Sequence, residues 1–495
     1  MRKVKTLGLL GTGVIGGGWA ARALHFGIDV IAADVKPEME AWIRGAVDNA
    51  EGALARLTLA PLPAKGKLSF TTDLNAMAAQ ADFIQENIPE QLELKQRVLA
   101  QVSRHAPADV IIASSTSGLM PSDLQRDMAH PERFLVAHPF NPVYLLPLVE
   151  LVGGRQTSGP TLAAAARFFT YIGMHALQVR REVPGHLTDR LQEALWREIL
   201  HMVNEDVATT GELDESIIYG PGLRWAAMGT NLIYHLAGGE TGMRHMLRQF
   251  GPALKWPWTK LEAPELTESL IDKMVAGTQA QANGRSIREL ERLRDGYLVA
   301  IQQVLKQFNI GAGATLRALE ERLYEDAAGA AGQRIRGALE DGELLRLMEV
   351  EVRPEWIDYN GHMTDSRYLQ VFGDATDALL RYAGVDDAYR SSGRALFTVE
   401  SHVRHVAEAR ALEALYVTTQ VLALDEKRLR LFHSLHRRRD DALVATAEQL
   451  YLHVSAGKAA ALDAEVHASL ERVRSAHARL PVPPQSGRVG ITTAR

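Results

Sequence analysis

A run of small residues, Gly11-Thr12-Gly13-Val14-Ile15-Gly16, follows the apolar segment Thr6–Leu10 and opens a helix-like pattern. In that setting each glycine has a task. Gly11 permits a tight turn and Gly13 lets the backbone approach a pyrophosphate. Gly16 lets the helix pack closely on the strand, and the helix N-terminus offers N–H donors to the anion. Asp34 ends the next strand-like run, about 20 residues on, where a carboxylate accepts from a ribose 2′-hydroxyl and repels a 2′-phosphate. The pattern predicts NAD rather than NADP. Further on, His138 in HPFNP and Glu150 in LVELV end two more apolar runs. An imidazole titrating near neutrality can take the proton of a hydroxyl, and a carboxylate can hold its tautomer. Spacing alone leaves a structural histidine in a turn as the commoner reading. His402, His405, His433 and His436 fall on strand-like runs, where histidines are more often plain strand residues, so no metal is expected. There is no cysteine, which excludes disulfides, thiolate nucleophiles and Cys-ligated metals.

These residues need elements to position them. At ~100–200 residues per domain, a chain of 495 residues predicts about three domains. Its 46% hydrophobic and 23% charged residues are those of an ordinary globular protein. A net charge of -5 offers no basic field to nucleic acid or to an anionic membrane. No apolar run approaches the ~18 residues that span a bilayer. The N-terminus runs straight into a strand pattern without signal-peptide architecture, and with the missing cysteines this fits a cytoplasmic protein. Strand-like runs at Thr6–Leu10, Asp29–Ala33, Asp82–Ile88, Val110–Ala113, Phe134–Ala137 and Leu148–Val152 alternate with helical stretches, which predicts βαβ units and a mostly parallel sheet. From Pro184 the pattern turns helical, and Leu187, Leu191, Leu195 and Ile199 form a stripe that should face a core. Residues 326–345, rich in Ala and Gly, read as a linker or a solvated helix. A helix over Asp365–Tyr382 and strands at 395–406, 414–424, 428–437 and 442–455 then predict an α+β domain. Residues 461–495 read as an exposed helix and a tail.

Four segments, GTGVIG, ADFIQENIPEQLELK, SSTSGL and HPFNPVYLLPLVELV, occur in that order. Together they resemble the 3-hydroxyacyl-CoA dehydrogenase superfamily. The resemblance implies an α/β Rossmann-type NAD domain over 1–183 and an all-α substrate and dimerisation domain over 184–325. It implies His138 as general base and Glu150 as its orienter, with Ser117 bonded to the substrate oxygen. Glu90, Lys95 and Asn141 would line the nicotinamide half of the cofactor site. One motif departs: the usual PGFxxNR is Pro184-Gly185-His186-Leu187-Thr188-Asp189-Arg190 here. An Asn amide donates to a substrate carbonyl, whereas an ionised Asp189 cannot. It favours a cationic substrate by Coulomb attraction, or else serves structurally, paired with Arg190 or Arg197. The helical region is similar to the carnitine-dehydrogenase branch of the superfamily, through LQEALWREILHMVNEDVATTGELDESI and GPGLRWAAMGTNLIYHLAGGETGMRHMLRQFGPALKWPWTKL. That similarity implies L-carnitine, a quaternary ammonium recognised by aromatic faces and negative charge. The candidate aromatics are Phe140, Tyr144, Trp196, Trp225, Tyr234, Trp256 and Trp258, of which two or three would form the cage. Arg190, Arg224 or Lys260 would clamp the substrate carboxylate.

The segment WIDYNGHMTDSRYLQVF carries Asp358, Asn360, Gly361, His362, Met363 and Tyr368 just ahead of the predicted helix. It resembles the hot-dog fold of the 4-hydroxybenzoyl-CoA thioesterase-like branch, over 346–460. The resemblance implies Asp358 as the catalytic carboxylate, acting as nucleophile or as base on water. The helix N-terminus after Gly361 would polarise the thioester carbonyl, with Glu400 as a second candidate carboxylate. Beside a carnitine-oxidising half, the thioester implied is betainyl-CoA. Both folds commonly pair, so a homodimer or homotetramer is expected. The competing reading is a 3-hydroxyacyl-CoA dehydrogenase carrying a non-catalytic hot-dog dimerisation module.

Overall fold

The computed structural model describes residues 4–489 apart from 59, 263, 264, 266, 354 and 355. The chain divides into two units, Met1–Leu323 and Tyr324–Arg495.

In the first unit, eight strands form one sheet: β1 (Thr6–Leu10), β2 (Asp29–Ala33), β3 (Leu68–Thr71), β4 (Phe83–Glu86), β5 (Ile111–Ser114), β6 (Phe134–Pro139), β7 (Leu148–Val152) and β8 (His175–Val179). The order is β3-β2-β1-β4-β5-β6-β7-β8. Every neighbouring pair is parallel except β6 and β7. The central strands β4, β5 and β6 are buried throughout, as a sheet covered by helices on both faces requires. The two strands the sequence pattern misses, β3 and β8, are the edges; LSFT and HALQV are short and half exposed, so neither makes a continuous apolar run. Arg22, on the helix Val14–His25, is buried and donates to the carbonyls of Val143, Ile172 and Gly173 at 2.9, 3.0 and 3.1 Å. It thereby ties the helix to the segment between β6 and β7 and to the end of the helix Gly159–Tyr171.

The rest of this unit is helical, including Thr188–Asn204, Thr210–Ile218, Glu268–Ala282 and Ile287–Phe308. Its own core is small: Leu200, Val203, Leu213 and Leu270, with Ile199 packed against them. The leucine stripe expected to face a core does not. Leu187, Leu191 and Leu195 are exposed, Leu191 to 74%. The helix Thr188–Asn204 turns Leu200 and Val203 inward instead, and the side chains of its other apolar face are exposed.

In the second unit, strands β9 (Leu345–Glu351), β10 (Arg394–His405), β11 (Ala414–Leu424), β12 (Arg428–Arg437) and β13 (Leu443–Ser455) form an antiparallel sheet in the order β10-β13-β12-β11-β9. The helix Asp365–Tyr382 packs on this sheet, with Val371, Phe372 and Ala375 in one core cluster and Leu379 and Leu380 in the next. This is the hot-dog arrangement. Of the two readings of residues 326–345, the helix holds rather than the linker: one helix runs over Gly311–Asp341 and then meets β9. Alanine has the highest helix propensity and offsets the glycines, and Ile335 is fully buried in the hot-dog core. The helix expected near the C-terminus forms, but it is not exposed. The helix Ala464–His477 buries Val466, Leu470 and Val473 against Leu429, Leu431 and Tyr451. The buried Glu448 carboxylate then accepts the backbone N–H groups of Gly487, Arg488 and Val489 at 3.0, 2.7 and 3.2 Å. The end of the expected tail, 490–495, lies outside the described residues. Among the described residues no helix is long and apolar enough to cross a membrane.

His433 shows what this core demands. Its ring is held by Thr376 Oγ1 at 3.0 Å and Thr419 Oγ1 at 2.9 Å, and burial pushes its pKa down to about 3. The unfolded chain protonates such a ring near pH ~6.5, so this group's contribution to stability is present above that pH. It is lost as the pH falls toward about 3, at up to ~1.4 kcal/mol per unit. Denaturant unfolding of the second unit between about pH 7 and 4 should show that slope. The variant His433→Gln should flatten it, and equal slopes in the two proteins would contradict the assignment.

Candidate active sites

The glycine turn follows β1 and precedes the helix Val14–His25. Gly11 has φ +82°, and a Cβ on it would lie 2.8 Å from the Asn87 carbonyl oxygen. A Cβ on Gly16 would lie 2.2 Å from the Gly11 oxygen, whereas one on Gly13 would meet no protein atom within 4 Å. The turn is therefore tight at its two ends and open in the middle, as a backbone that receives a pyrophosphate must be. Asp34 follows β2 directly, and its Oδ2 accepts from the Thr12 N–H at 3.1 Å and the Thr12 hydroxyl at 3.0 Å. A carboxylate has acceptor capacity beyond those two bonds, so this set fits a dinucleotide with a free ribose. Asn87 braces the turn, its N–H donating to Leu10 O at 2.6 Å and its side-chain oxygen accepting from Ser115 Oγ at 2.7 Å.

His138 and Glu150 are direct partners in the antiparallel register of β6 and β7. His138 Nδ1 lies 3.1 Å from Glu150 Oε2. The other carboxylate oxygen accepts from the N–H groups of Leu187 and Thr188 at 3.2 and 3.0 Å and from the Thr188 hydroxyl at 3.1 Å. These donors open the helix Thr188–Asn204, whose dipole favours an anion there. Burial raises the Glu150 pKa, but the bonds from His138 and Thr188 outweigh it and hold the group below its ordinary value. An ionised carboxylate only accepts, so Nδ1 carries a proton and Nε2 is the basic nitrogen.

Asp189 faces that nitrogen, with Oδ2 3.4 Å from His138 Nε2, and burial raises its pKa. Neither expected arginine pairing is the salient contact, since Arg197 donates instead to Leu261 O at 3.2 Å. The Phe140 ring stands edge-on to His138 at 4.7 Å. His186, also buried, lies 5.6 Å from His138 ring to ring, with Nε2 3.1 Å from Thr116 O. Burial lowers its pKa, which keeps it neutral. The sequence pattern did not single out His186 or Thr188, although both lie in the divergent PGHLTDR segment and that divergence was the available signal.

Glu90 gathers the loop that holds Ser117. Its Oε1 accepts from the Thr116 hydroxyl and from the N–H groups of Ser117 and Gly118, the latter two at 3.1 and 3.3 Å. Ser117 itself is exposed, as is Asn141, which follows Phe140. Lys95 is placed differently from the expectation. It is buried, and its ammonium lies 2.7 Å from Glu86, 2.9 Å from Ile88 O and 3.4 Å from Glu90. Three acceptors use its three donors, so Lys95 braces the loop rather than presenting a charge to a ligand. Tyr144 is likewise tied into the interior through its hydroxyl. Its buried hydroxyl donates to Asp295 at 2.6 Å and accepts from Arg294 at 3.2 Å. Trp225 ends the short helix Pro221–Trp225 and is half exposed, and among the described contacts none joins it to His138. Trp256 and Trp258 pack edge to face at 5.1 Å, and Lys260 pairs with Glu205. The aromatic candidates are thus scattered, and Phe140 alone among them touches the His138 ring in the contacts described.

In the second unit Asp358 opens a turn closed by its own N–H on His362 O at 2.8 Å. Its Oδ1 accepts the Asn360 N–H at 2.8 Å, and Gly361 takes φ +82°. The helix begins at Asp365, as expected, behind Thr364, and Met363 bridges to Ile357. Asp358 lies on a cavity of about 680 Å³ that also includes His362 and Glu408. Glu400 is on β10 opposite Leu450, away from that lining. Among the described residues no group of three His, Asp or Glu side chains is placed to hold a metal ion.

Comparison with known proteins agrees with this division. The family described as 3-hydroxyacyl-CoA dehydrogenase, NAD binding domain, matches residues 6–183, and its C-terminal domain matches 185–285. A thioesterase-like superfamily matches 352–471. The cofactor of the first unit is therefore NAD, in agreement with the glycine turn and Asp34. A solved 5-formyl-3-hydroxy-2-methylpyridine 4-carboxylic acid 5-dehydrogenase, an NAD+-dependent dismutase, is 26% identical with a TM-score of 0.53, covering 61% of this chain and 99% of its own. An L-carnitine dehydrogenase of Pseudomonas sp is 56% identical over 302 residues, 61% of this chain and 94% of its own. An L-carnitine dehydrogenase/betainyl-CoA thioesterase of Rhizobium meliloti is 48% identical over 495 residues, 99% of each chain. With a relative this similar over its full length, the chain belongs to the family of L-carnitine dehydrogenase/betainyl-CoA thioesterases.

Proposed function

We propose that the first unit oxidises the 3-hydroxyl of L-carnitine to 3-dehydrocarnitine with NAD, and that the second hydrolyses betainyl-CoA to glycine betaine and CoA. The observation that carries the first half is the buried His138–Glu150 pair at 3.1 Å with Asp189 on the opposite ring nitrogen. His138 Nε2 takes the hydroxyl proton, and Glu150 holds the ring and stabilises the imidazolium that results. Bound NAD supplies the two-electron acceptor. Gly11, Thr12, Gly13, Val14, Ile15 and Gly16 hold its pyrophosphate and Asp34 its ribose, with Glu90 and Asn141 toward the nicotinamide half. Ser117 bonds the substrate oxygen. Asp189 and Phe140 face the trimethylammonium, one methylene from the carbinol carbon. In the second unit Asp358 provides the carboxylate for hydrolysis, as nucleophile or as base on water. The cysteine-free sequence leaves this work to such a group and suits a reducing compartment such as the cytoplasm.

The chain would work as a homodimer or a homotetramer. The uncovered stripe of Leu187, Leu191 and Leu195 and the exposed Phe397 and Val399 on the edge strand β10 are surfaces that a second copy can cover. Light scattering at micromolar concentration should give a multiple of the 54.4 kDa chain mass, and a monomer would contradict the proposal.

NAD+ should be reduced with L-carnitine and not with 3-hydroxybutyryl-CoA; the opposite preference would favour the ordinary acyl-CoA dehydrogenase. His138→Gln should lower that activity by about 10²–10⁴-fold while thioester hydrolysis continues. Asp358→Asn should do the reverse, and loss of both activities in either variant would argue against independent sites. Gly16→Ala places a Cβ 2.2 Å from Gly11 O. Its KM for NAD+ should rise at least about tenfold, the equivalent of ~1.4 kcal/mol, with thioester hydrolysis unaffected.

A further inference from the structure

The cavity beside Asp358 carries a charge pattern that bears on which acyl group it accepts. Three carboxylates line it, Asp358, Asp365 and Glu408, together with the rings of Tyr359 and Tyr368. Among the described residues no lysine or arginine does. Glu408 is oriented: its Oε2 stands 2.7 Å from Nε2 of His362, the residue whose carbonyl closes the Asp358 turn. Asp365 sits in the first turn of the helix, its Oδ1 accepting from the Thr364 hydroxyl at 3.2 Å. Tyr368 is buried and fixed, edge-on to His405 at 4.6 Å.

Attack on a thioester puts negative charge on the carbonyl oxygen, and a site accelerates the step by stabilising that charge. Surplus carboxylates work against it when the acyl group is neutral. An acyl group with a fixed cation one methylene from the carbonyl reverses the balance, because its own charge offsets the oxyanion and is attracted by the carboxylates. A quaternary ammonium has no N–H to donate, so aromatic faces and net charge are what recognise it. We propose that Glu408 and Asp365, with Tyr359 and Tyr368, select the acyl group of the second unit's substrate by its quaternary ammonium charge. The inference rests on the thioesterase reading of Asp358 and assigns the preference for a cationic acyl group to that unit's own residues. The thioester bond is cleaved by water, which supplies the oxygen of the free acid and the proton of the CoA thiol.

The test compares two thioesters of the same shape on the full chain: betainyl-CoA and its neutral carbon isostere 3,3-dimethylbutyryl-CoA. The wild type should favour betainyl-CoA in kcat/KM by about 100-fold or more, and Glu408→Gln and Asp365→Asn should each cut that ratio about tenfold, or ~1.4 kcal/mol. Glu408→Asp, which keeps the charge, should retain most of it. Thermal melting identifies variants that fold as the wild type does, and either single variant alone suffices. Equal hydrolysis of both thioesters by the wild type, or an unchanged ratio in either variant that folds, would overturn this inference and leave the thioesterase reading standing. Hydrolysis of neither thioester would overturn that reading and the inference with it.

Discussion

One buried carboxylate holds the first unit's chemistry together. Glu150 is fully shielded from water, and the effective cost of burying an ion is several kcal/mol unless its lone pairs are filled. Here they are filled from two directions: His138 on the neighbouring strand, and the first turn of the helix Thr188–Asn204. The same bonds that make the burial tolerable fix the imidazole tautomer and anchor the helical region to the sheet. Strand register is the constraint behind this. A slip of one residue between β6 and β7 would send one of the two side chains to the opposite face of the sheet. The single antiparallel pairing in the sheet is what places His138 and Glu150 directly across from each other.

Around that pair the structure sorts charges that look alike in sequence. Lys95 and Glu86 neutralise each other in the interior and brace the loop beneath Ser117. Asp189 stands beside Nε2 of His138, its pKa raised by burial. Asp34 is steadied by Thr12 but remains at the mouth of the glycine turn. Each carboxylate owes its role to what fills its remaining lone pairs, and a motif does not record that.

The second unit solves a related problem with other means. Its core surrounds one helix and includes a polar chain in which His433 is held between two threonines. The helix Ala464–His477 and the segment bound by Glu448 complete the unit, so the hot-dog core extends beyond the strands that define it. Asp358 is presented by a short turn rather than by the helix itself, and its neighbours leave the cavity rich in negative charge.

The sequence alone determined the alternation of strands and helices, the glycine turn with Asp34, the strand positions of His138 and Glu150, and the turn that carries Asp358. These are local: each depends on residue type, apolar periodicity or a turn that only glycine tolerates. The edge strands β3 and β8 stayed hidden because half-exposed strands lack an apolar run. Tertiary structure alone decided that Lys95 and Tyr144 are interior braces, that Asp189 faces the base, and that Leu187, Leu191 and Leu195 do not face the unit's core. Those outcomes turn on which side chains from distant segments meet and how fully they are desolvated. Burial and partnership are properties of pairs across the fold, and no stretch of sequence contains both members.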